Sequence, residues 1–340
     1  MNGSDINNIP KYKSRDVRLA IPSKGRMELE TEEFLKSCGF DIQRKKRQYI
    51  GYIREPINVK LVYQRQLDII RGVLNGSLEF GIVGYDLVLE NLPLTENELI
   101  IIHDALNFGK CSLEIAIPED WPETSIKEIE KKENQIRIAT KYSKLTKQFL
   151  KNYAISFKLI EGNGSLEVYP ELEYSDIIVD LVSTGQTLKD NRLKQIKGGK
   201  IIDSEAVLIG NNTALKDKPV LALARELIEY IEATLRAQNF VSLFVNMKGA
   251  SCEEIVNAIF SKKGLEGLQG PTISPVYTKS GERMYAVHVI VEKVKLQQAI
   301  RNLRAIGGSG VVVAPTSYIF EKEPLRYKQL LKKLGMIDNA

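Results

Sequence analysis

A short polar turn follows one of the most apolar stretches of the chain. Residues 180–191 read DLVSTGQTLKDN, and small residues come directly after DIIVDLV, namely Ser183, Thr184, Gly185 and Thr187. Gly185 can adopt backbone angles denied to other residues, so that successive N–H groups converge, and the hydroxyls add further donors. If a helix begins at Thr187, its free N–H groups face the same point. These residue types predict a phosphate cradle, although a plain strand-to-helix turn with a threonine cap has the same pattern.

One carboxylate, Asp180, comes just before this turn. A carboxylate would repel a phosphate, but it could accept hydrogen bonds from the hydroxyls of an attached ribose. A phosphate at the turn and a diol beside Asp180 together describe a sugar phosphate.

Cationic side chains form a second candidate site nearer the N-terminus. Lys24 and Arg26 flank Gly25 in IPSKGRM, while Arg47 in RKKRQYI and Arg65 in VYQRQLDII lie at or near the ends of other predicted strands. Each cation alone has the ordinary interpretation of a solvated surface group. Together, at strand ends of one lobe and opposite a phosphate cradle, they would suit a substrate pair that carries diphosphate and triphosphate groups.

The elements that must position these residues alternate between strand and helix. VRLAIP, NVKLVYQ and EFGIVG read as strands, each followed by a helical stretch, and a second series runs from SLEIAIP through IRIAT and SFKLI to DIIVDLV. Alternation of this kind predicts parallel or mixed sheets covered by helices. In such open sheets ligands bind beyond the carboxyl ends of the strands, where the polar turn lies.

The order of predicted strands and helices changes after Gln238. FVSLFVNM, TISPVYT, RMYAVHVIV and GVVVAP read as strands, and CEEIVNAIF and KLQQAIRNLRAIG read as helices. The order βαββαβ is that of the ferredoxin-like unit. We therefore predict an α/β chain with a flexible tail at 1–16, catalytic lobe I at 17–110 and 199–237, lobe II at 111–198, and a small domain at 238–340.

Composition excludes several classes of protein. A net charge of +5 is a mild excess that could attract phosphorylated small molecules, but the chain lacks the concentrated basic runs of a nucleic-acid binder. No apolar run reaches the roughly 18 residues of a spanning helix, so no membrane partner is expected. Three isolated cysteines, two histidines and the absence of a secretory signal favour a reduced cytoplasmic setting, and no metal ligands are assigned.

At this point the motifs become familiar. RLAIPSKGRM, RQYIG, FGIVGYD, FGKCSLEIAIP, NGSLEV and above all DLVSTGQTLKDNRLKQI resemble the ATP phosphoribosyltransferase family, and the resemblance runs in order from about Val17 to Ile319. GLQGPTISPV and LRAIGGSGVVVAP resemble the C-terminal regulatory domain of the long form of that family. The resemblance implies a two-lobed, periplasmic-binding-protein-like catalytic part followed by a ferredoxin-like domain.

The resemblance also implies a reaction. ATP and 5-phosphoribosyl pyrophosphate give N1-(5-phosphoribosyl)-ATP and diphosphate, with Mg²⁺ as cofactor, in the first step of histidine biosynthesis. The adenine N1 lone pair attacks the ribose C1 carbon, so no residue is assigned as an acid or base. Ser183, Thr184, Gly185, Gln186 and Thr187 would bind the 5-phosphate of the sugar. The other implied contacts are Glu167 and Asp180 with the ribose, and Lys24, Gly25, Arg26, Arg47 and Arg65 with ATP or diphosphate.

For the C-terminal domain the resemblance implies feedback inhibition by histidine, bound between adjacent copies in a homo-oligomer that ranges from an active dimer to a hexamer. Two segments offer hydroxyls, backbone donors and space for a small zwitterion. Their residues are Thr272 and Ser274 in PTISP, and Gly307, Gly308 and Ser309 in IGGSG. Both segments also have the composition of tight turns.

Three positions depart from the family pattern. Asn107 stands where relatives often carry an acid, Lys141 is an unexpected cation in RIATKY, and Glu173 takes the place of a usual glycine. These departures lie near the candidate site and keep two alternatives open: a two-lobed small-molecule-binding protein without chemistry, and a catalytically inactive regulatory paralogue.

Overall fold

The computed structural model describes residues 17–45, 48–92, 98–162 and 164–337. The chain divides into two compact units, one formed by Met1–Glu226 with Leu325–Ala340 and the other by Leu227–Pro324. The second unit begins near the start of the predicted small domain, but the last helix of the chain belongs to the first unit.

The elements follow one another with short connections. The first are β1 (Arg18–Pro22), α1 (Gly25–Ser37), β2 (Ile42–Gln43), β3 (Ile50–Ile53), β4 (Val59–Gln64), α2 (Gln66–Leu74), β5 (Phe80–Gly84), α3 (Tyr85–Asn91) and β6 (Leu99–His103). Next come β7 (Cys111–Pro118), α4 (Ile126–Ile129), β8 (Ile136–Thr140), α5 (Ser143–Leu150), β9 (Phe157–Glu161), β10 (Ile177–Val182), α6 (Gln186–Asp190), β11 (Leu193–Ser204) and β12 (Ala206–Asn211). The last are α7 (Lys218–Ala237), β13 (Phe240–Lys248), α8 (Cys252–Phe260), β14 (Thr272–Val276), β15 (Met284–Glu292), α9 (Leu296–Ala305), β16 (Gly308–Pro315) and α10 (Leu325–Lys333).

Lobe I is built on a mixed sheet with the strand order β2-β3-β4-β1-β5-β12-β6. Strand β1 is parallel to β4 and β5, whereas β12 is antiparallel to β5. Every residue of β5 and β12 is buried, as expected of near-continuously apolar strands covered on both faces. The carboxyl ends of β1 and β4 therefore lie side by side, and each delivers the chain to a helix.

Lobe II is built on a second sheet with the order β11-β7-β10-β8-β9. Strands β8, β9 and β10 are parallel, and β7 runs antiparallel to β10. The carboxyl ends of β8 and β10 thus lie next to each other, at the same end of the sheet. Together the two lobes confirm the predicted α/β class.

The return from lobe II to lobe I differs from the prediction. The sequence predicts that lobe I resumes at residue 199. Residues up to Ser204 instead pair with β7 in lobe II, and the chain changes sheets at Glu205. Irregular pairing between Gln195 and Ile202 lets β11 continue past the two glycines of KGGK.

Helices α3 and α5 join the two lobes by capping each other. The Glu90 carboxylate of α3 accepts the N–H groups of Lys144 and Leu145 at 2.8 and 3.0 Å. The Lys144 ammonium in turn donates to the carbonyls of Leu89 and Leu92 at 3.0 and 2.6 Å. Each helix end would otherwise leave backbone groups without partners, so the lobes satisfy one another at this contact.

The second unit contains the predicted βαββαβ order, folded as an antiparallel sheet with strand order β14-β15-β13-β16. Strand β13 alternates between buried and more exposed residues along most of its length, which is the pattern of a sheet with one covered face. Its buried residues pack with those of α8 and α9, including Ile255, Ile259 and Leu303. The ferredoxin-like prediction is confirmed.

Helix α10 belongs to lobe I, although the sequence placed residues 325–340 in the small domain. Arg326 pairs with Asp104 at 2.8 Å, and the Lys333 ammonium donates to the carbonyl of Ile101 in the edge strand β6 at 2.8 Å. The charged, weakly apolar sequence of this helix gave no sign of where it docks. Among the helices of the described residues, none is long and apolar enough to cross a membrane.

Candidate functional site

The predicted phosphate turn lies open at the carboxyl end of β10. Gly185 has φ of +73° and is the residue that precedes α6, so the helix begins at Gln186, one residue earlier than predicted. Only glycine adopts this left-handed conformation without strain. The side chains of the turn are exposed to solvent at Ser183, Thr184, Gln186 and Thr187. The loop is therefore accessible to a ligand rather than sealed beneath packed side chains.

Local hydrogen bonds fix the shape of this turn. The Gln186 N–H donates to the Thr184 hydroxyl at 3.4 Å, and the Lys189 N–H donates to the Gly185 carbonyl at 3.2 Å. The alternative of a threonine-capped helix does not describe this turn, because Gly185 occupies the cap position and the cap has no side-chain hydrogen bond.

Asp180 lies in β10 between Glu114 of β7 and the end of β8. Burial, the largest influence, raises the pKa of Asp180 above its usual range. The Leu181 N–H, which donates to the carboxylate at 2.8 Å, and the positive charge of Lys141 act to lower this pKa. The charges of Glu167 and Asp86 act to raise it, so Glu167 lies near enough to influence the ionisation of Asp180.

Two of the predicted cations line one cleft of lobe I. Lys24 follows β1 and Arg65 follows β4, and both border a space of about 410 Å³ at the carboxyl ends of these strands. The Ser23 N–H donates to the Gln64 carbonyl at 2.9 Å, which holds the two strand ends together. Both cationic side chains are exposed, so they can reorient toward an anion.

Gly25 and Arg26 lie next to this cleft at the start of α1. Gly25 has φ of +72°, and a Cβ atom at this position would meet nothing within 4 Å. The glycine therefore serves the backbone conformation and leaves the surface open. Arg26 forms an ion pair with Glu30 at 3.3 Å, while half of its side chain remains exposed. Arg47 lies outside the described residues.

Cys111, the first residue of β7, is under the electrostatic influence of two lobe I residues, Asp86 and Arg26. Burial raises the pKa of the Cys111 thiol to about 11, the charge of Asp86 adds to the effect, and Ser204 and Arg26 oppose it. The Asp86 charge thus acts on the pKa values of both Cys111 and Asp180. The Arg26 charge also acts on the pKa of Cys111. Asp86 belongs to lobe I, and its charge therefore influences ionisable groups of lobe II.

Asp86 is the last residue of FGIVGYD, and no role was predicted for it from the sequence. It is 4% exposed, and its carboxylate accepts hydrogen bonds from Tyr142 at 2.7 Å and from Ser204 at 2.6 Å. Burial and the Asp86 charge raise the pKa of Tyr142, so the phenol keeps its proton and donates. An acid two residues after a wholly apolar strand is the signal that could have identified this group.

Two of the departures from the family pattern have a backbone explanation. Asn107 and Glu173 both adopt positive φ, at +64° and +57°. The Glu173 carbonyl accepts from Arg137 at 2.6 Å, so the turn takes the left-handed conformation expected of the usual glycine despite its side chain. Asn107 tolerates this conformation and accepts from the Lys110 ammonium at 2.5 Å.

Neither histidine provides a base at this site. Burial lowers the pKa of His103 to about 3, and the imidazole is 1% exposed in strand β6. The ring of His288 stacks on Phe244 in the other unit, with centroids 4.5 Å apart. Both imidazoles therefore have structural surroundings, and His103 Nε2 is buried with no hydrogen-bond partner among the described residues.

The predicted effector residues do not converge within one chain. Thr272 and Ser274 lie on β14, whereas Gly308 and Ser309 begin β16, and these strands form opposite edges of the sheet. Three strand spacings of about 4.8 Å each separate the edges, which exceeds the reach of one amino acid. Gly307 follows α9 with φ of +90°, and a Cβ at Gly308 would lie 2.7 Å from the Leu303 carbonyl oxygen. Local structure therefore accounts for both glycines.

Two family models match the chain. The model of ATP phosphoribosyltransferase matches residues 65–236, and the model of the HisG C-terminal domain matches residues 237–318. Helix α10 lies beyond both matches.

Curated relatives extend this similarity to nearly the whole chain. ATP phosphoribosyltransferase 2, chloroplastic, from Arabidopsis thaliana is 39% identical over 335 residues, which cover 94% of this chain and 81% of the relative. ATP phosphoribosyltransferase from Methanococcus maripaludis strain C7 is 31% identical over 303 residues, which cover 89% of this chain and 99% of the relative.

A solved structure shows the same fold in the catalytic part. A chain of the ATP phosphoribosyl transferase (HisG:HisZ) complex from Thermotoga maritima has a TM-score of 0.50 and 25% identity. The match covers 64% of this chain and 98% of the solved chain.

Proposed function

The chain belongs to the ATP phosphoribosyltransferase family, and on that premise we propose which of its residues bind the two substrates. The enzyme transfers the phosphoribosyl group of 5-phosphoribosyl pyrophosphate to N1 of ATP, with release of diphosphate, in the first step of histidine biosynthesis. We assign the 5-phosphate to the loop from Ser183 to Thr187. The observation that carries this assignment is the open turn after β10, with Gly185 held at φ of +73°.

The ribose lies beside Asp180 and Glu167 in this proposal. Both carboxylates belong to the same end of lobe II as the loop, and ionised carboxylates accept hydrogen bonds from sugar hydroxyls. They also place negative charge near the ribose carbon that becomes cationic as diphosphate departs. The raised pKa of Asp180 makes this contribution dependent on pH.

Lys24, Gly25, Arg26, Arg47 and Arg65 are proposed to bind the phosphates of ATP and the departing diphosphate. The open cleft between the ends of β1 and β4 supports this assignment for Lys24 and Arg65. Guanidinium and ammonium groups neutralise the charge that develops on the leaving group, which is the main electrostatic demand of the reaction. The nucleophile is a lone pair on a ring nitrogen, so the site needs no general base.

Members of this family use a divalent metal ion, and we propose that the ion is Mg²⁺. Within the described residues, no group of three or more His, Cys, Asp or Glu side chains could hold a metal ion. Mg²⁺ commonly takes one or two carboxylates together with substrate phosphates, and Asp180 and Glu167 are suitable oxygen donors for an ion carried by the sugar diphosphate. Such an ion would supply charge neutralisation on the leaving group.

We propose that residues 238–324 form a regulatory domain at which histidine inhibits the enzyme. Thr272 and Ser274 lie at one edge of the sheet and Gly307, Gly308 and Ser309 at the other, so a site that uses both sets needs two neighbouring copies. This requirement supports a homo-oligomer, with dimers as the active form and a hexamer as the inhibited form. A ligand inhibits in this way only if it binds the two assemblies with different affinity. A cytoplasmic location remains a prediction.

One assay tests the activity and its regulation. Purified protein is incubated with ATP, 5-phosphoribosyl pyrophosphate and Mg²⁺ while the absorbance of the ribosylated adenine is followed. We expect turnover, and we expect histidine to suppress it. Saturable substrate binding without product would instead favour an inactive paralogue or a binding protein.

A further inference from the structure

Lys141 is a cation at the inner edge of lobe II that the roles assigned so far do not use. It is the residue directly after β8, and its side chain is exposed. Among the residues that the structure describes, no carboxylate lies within ion-pair distance of its ammonium group. The ammonium is therefore available to a ligand.

Strand register places Lys141 beside Asp180. Val179 of β10 is aligned with Thr140 of β8, and the next residues along these two parallel strands are Asp180 and Lys141. Neighbouring strands lie about 4.8 Å apart, so the two residues start from adjacent backbone positions. The influence of the Lys141 charge on the pKa of Asp180 agrees with this placement.

The residues on both sides of Lys141 are fixed. Thr140 is fully buried, and its hydroxyl accepts the Tyr142 N–H at 2.9 Å. The Tyr142 ring is buried and its phenol is bound to Asp86. The backbone of Lys141 therefore lies between two buried, hydrogen-bonded residues. A cation attached to so rigid a support loses little backbone freedom on binding an anion.

The surrounding charge makes a cation necessary at this edge. The negative charges of Glu167 and Asp86 both act on the Asp180 carboxylate. The sugar substrate carries phosphate groups at both ends of its ribose, and these carboxylates would repel them. Lys141 is the residue at the ends of the parallel strands that can offset this repulsion within lobe II.

We propose that Lys141 binds the diphosphate end of 5-phosphoribosyl pyrophosphate. This inference rests on the proposed placement of the 5-phosphate at the loop and of the ribose at Asp180. The diphosphate is attached to C1, at the end of the ribose away from the 5-phosphate. Lys141 neighbours Asp180, whereas the loop begins three residues further along the chain at Ser183. With the ribose beside Asp180, this placement favours the diphosphate on C1 over the 5-phosphate as the ligand of Lys141.

The test compares Lys141→Met and Lys141→Arg with Lys147→Met, a control at an exposed lysine of α5 in the same lobe. Steady-state kinetics give separate KM values for the sugar substrate and for ATP, and inhibition constants for inorganic diphosphate and ribose 5-phosphate. For Lys141→Met we expect the KM of the sugar substrate and the inhibition constant of diphosphate to rise about tenfold, the loss of one charge-assisted contact.

The remaining readouts separate this role from others. The KM of ATP and the inhibition by ribose 5-phosphate should stay within about twofold, Lys141→Arg should restore most of the affinity, and Lys147→Met should match the parent enzyme. An unchanged diphosphate inhibition constant in Lys141→Met overturns the proposal. An equal loss of ribose 5-phosphate inhibition would assign Lys141 to the 5-phosphate and would overturn it as well.

Failure of the underlying site has a different signature. If Gly185→Val keeps full affinity for ribose 5-phosphate, the loop is not the phosphate site. The diphosphate measurement on Lys141→Met does not depend on that outcome, so the two failures are distinguishable.

Discussion

The two lobes offer anions different kinds of partner. At the lobe I cleft the candidate groups are long, exposed side chains on Lys24 and Arg65. At the phosphate loop of lobe II they are backbone N–H groups and short hydroxyls on a turn whose conformation is set by Gly185. Long cationic side chains lose up to about 2 kcal/mol of rotamer entropy when they are immobilised, whereas the groups of a fixed turn lose little.

This difference indicates a division of roles. The phosphate loop of lobe II is suited to recognise one group in one position, because its donors are already in place. Lobe I is suited to follow phosphates that move during the reaction, because its cations can reorient. A change to the turn should therefore remove binding, whereas loss of one cation should only weaken it.

The largest effect is expected for Gly185→Val. A β-branched residue at φ of +73° is strained by about 1–2 kcal/mol or more and would displace the N–H groups of the loop. We expect affinity for 5-phosphoribosyl pyrophosphate to fall at least about a hundredfold, measured by calorimetric titration with Mg²⁺ present. Gly164→Ala is the matched control, because a Cβ there meets nothing within 4 Å and φ is not positive. Equal affinity in the two variants would contradict the difference between the lobes.

Asp180→Asn should come next, with a loss of about ten- to a hundredfold in affinity for the same substrate. The parent enzyme should bind the sugar more weakly as pH falls through the raised pKa of Asp180, because the carboxylate loses its acceptor charge, and the asparagine variant should lack this dependence. Stability should change in the opposite sense. Burial makes the ionised form costly, so the parent loses stability as pH rises from the usual carboxyl range through the raised pKa.

Both consequences of Asp180→Asn are measurable on one preparation. Binding titrations across that pH range report affinity, and urea unfolding at pH 7 should show the variant to be the more stable protein. Identical pH profiles for parent and variant would remove Asp180 from the sugar site.

Single cation losses in lobe I should be smaller. Arg65→Met or Lys24→Met should each raise the KM of ATP about tenfold or less, and the effect should shrink at high salt because exposed charges are screened. Arg54→Met is the control, since Arg54 lies at the opposite end of the same sheet and its guanidinium is stacked over Tyr52. A total loss of binding in Arg65→Met would mean that lobe I is as fixed as lobe II.

The contact that holds the lobes together can be weakened without touching either site. Glu90→Ala removes the acceptor for two N–H groups of α5, a change comparable to the loss of a helix cap. We expect the free energy of unfolding to fall by about 1 kcal/mol in urea titrations. Glu33→Ala, at an exposed position of α1, should leave it unchanged. No difference between these variants would show that packing alone joins the lobes.

The smallest effect is expected for Glu173→Gly. Glycine relieves a left-handed strain of about 1–2 kcal/mol and loses about 0.5–1 kcal/mol through backbone entropy, so the net gain in stability should be below about 1 kcal/mol. Glu171→Gly in the same turn has no strain to relieve and should be destabilising. Thermal unfolding distinguishes the two signs, and substrate affinity should be unaffected in both.

Local chemistry in the sequence predicted the loop and the strands well. DIIVDLV and STG specify a buried strand and a left-handed turn through residue types that act within a few positions. The chain's βαββαβ order was predictable for the same reason. Features that depend on strand register could not be predicted. The pairing of β11 with β7 and the position of Lys141 beside Asp180 both depend on residues that are far apart in sequence.

Contacts between the lobes escaped prediction for a related reason. Glu90 and Lys144 each look like ordinary surface charges in the sequence, and only the packing of α3 against α5 turns them into mutual helix caps. Asp86 likewise acquires its environment from Tyr142 and Ser204, which lie 56 and 118 residues away.

The docking of α10 on β6 decides how this enzyme can be dissected. A stop codon placed after α7 would remove the ferredoxin-like domain but would also strip the Arg326 and Lys333 anchors from the edge of the lobe I sheet. An internal deletion of the domain, with α7 joined to α10 through a flexible linker, would preserve the contacts of Arg326 and Lys333. Only such a minimal enzyme would give a fair account of catalysis without its regulator.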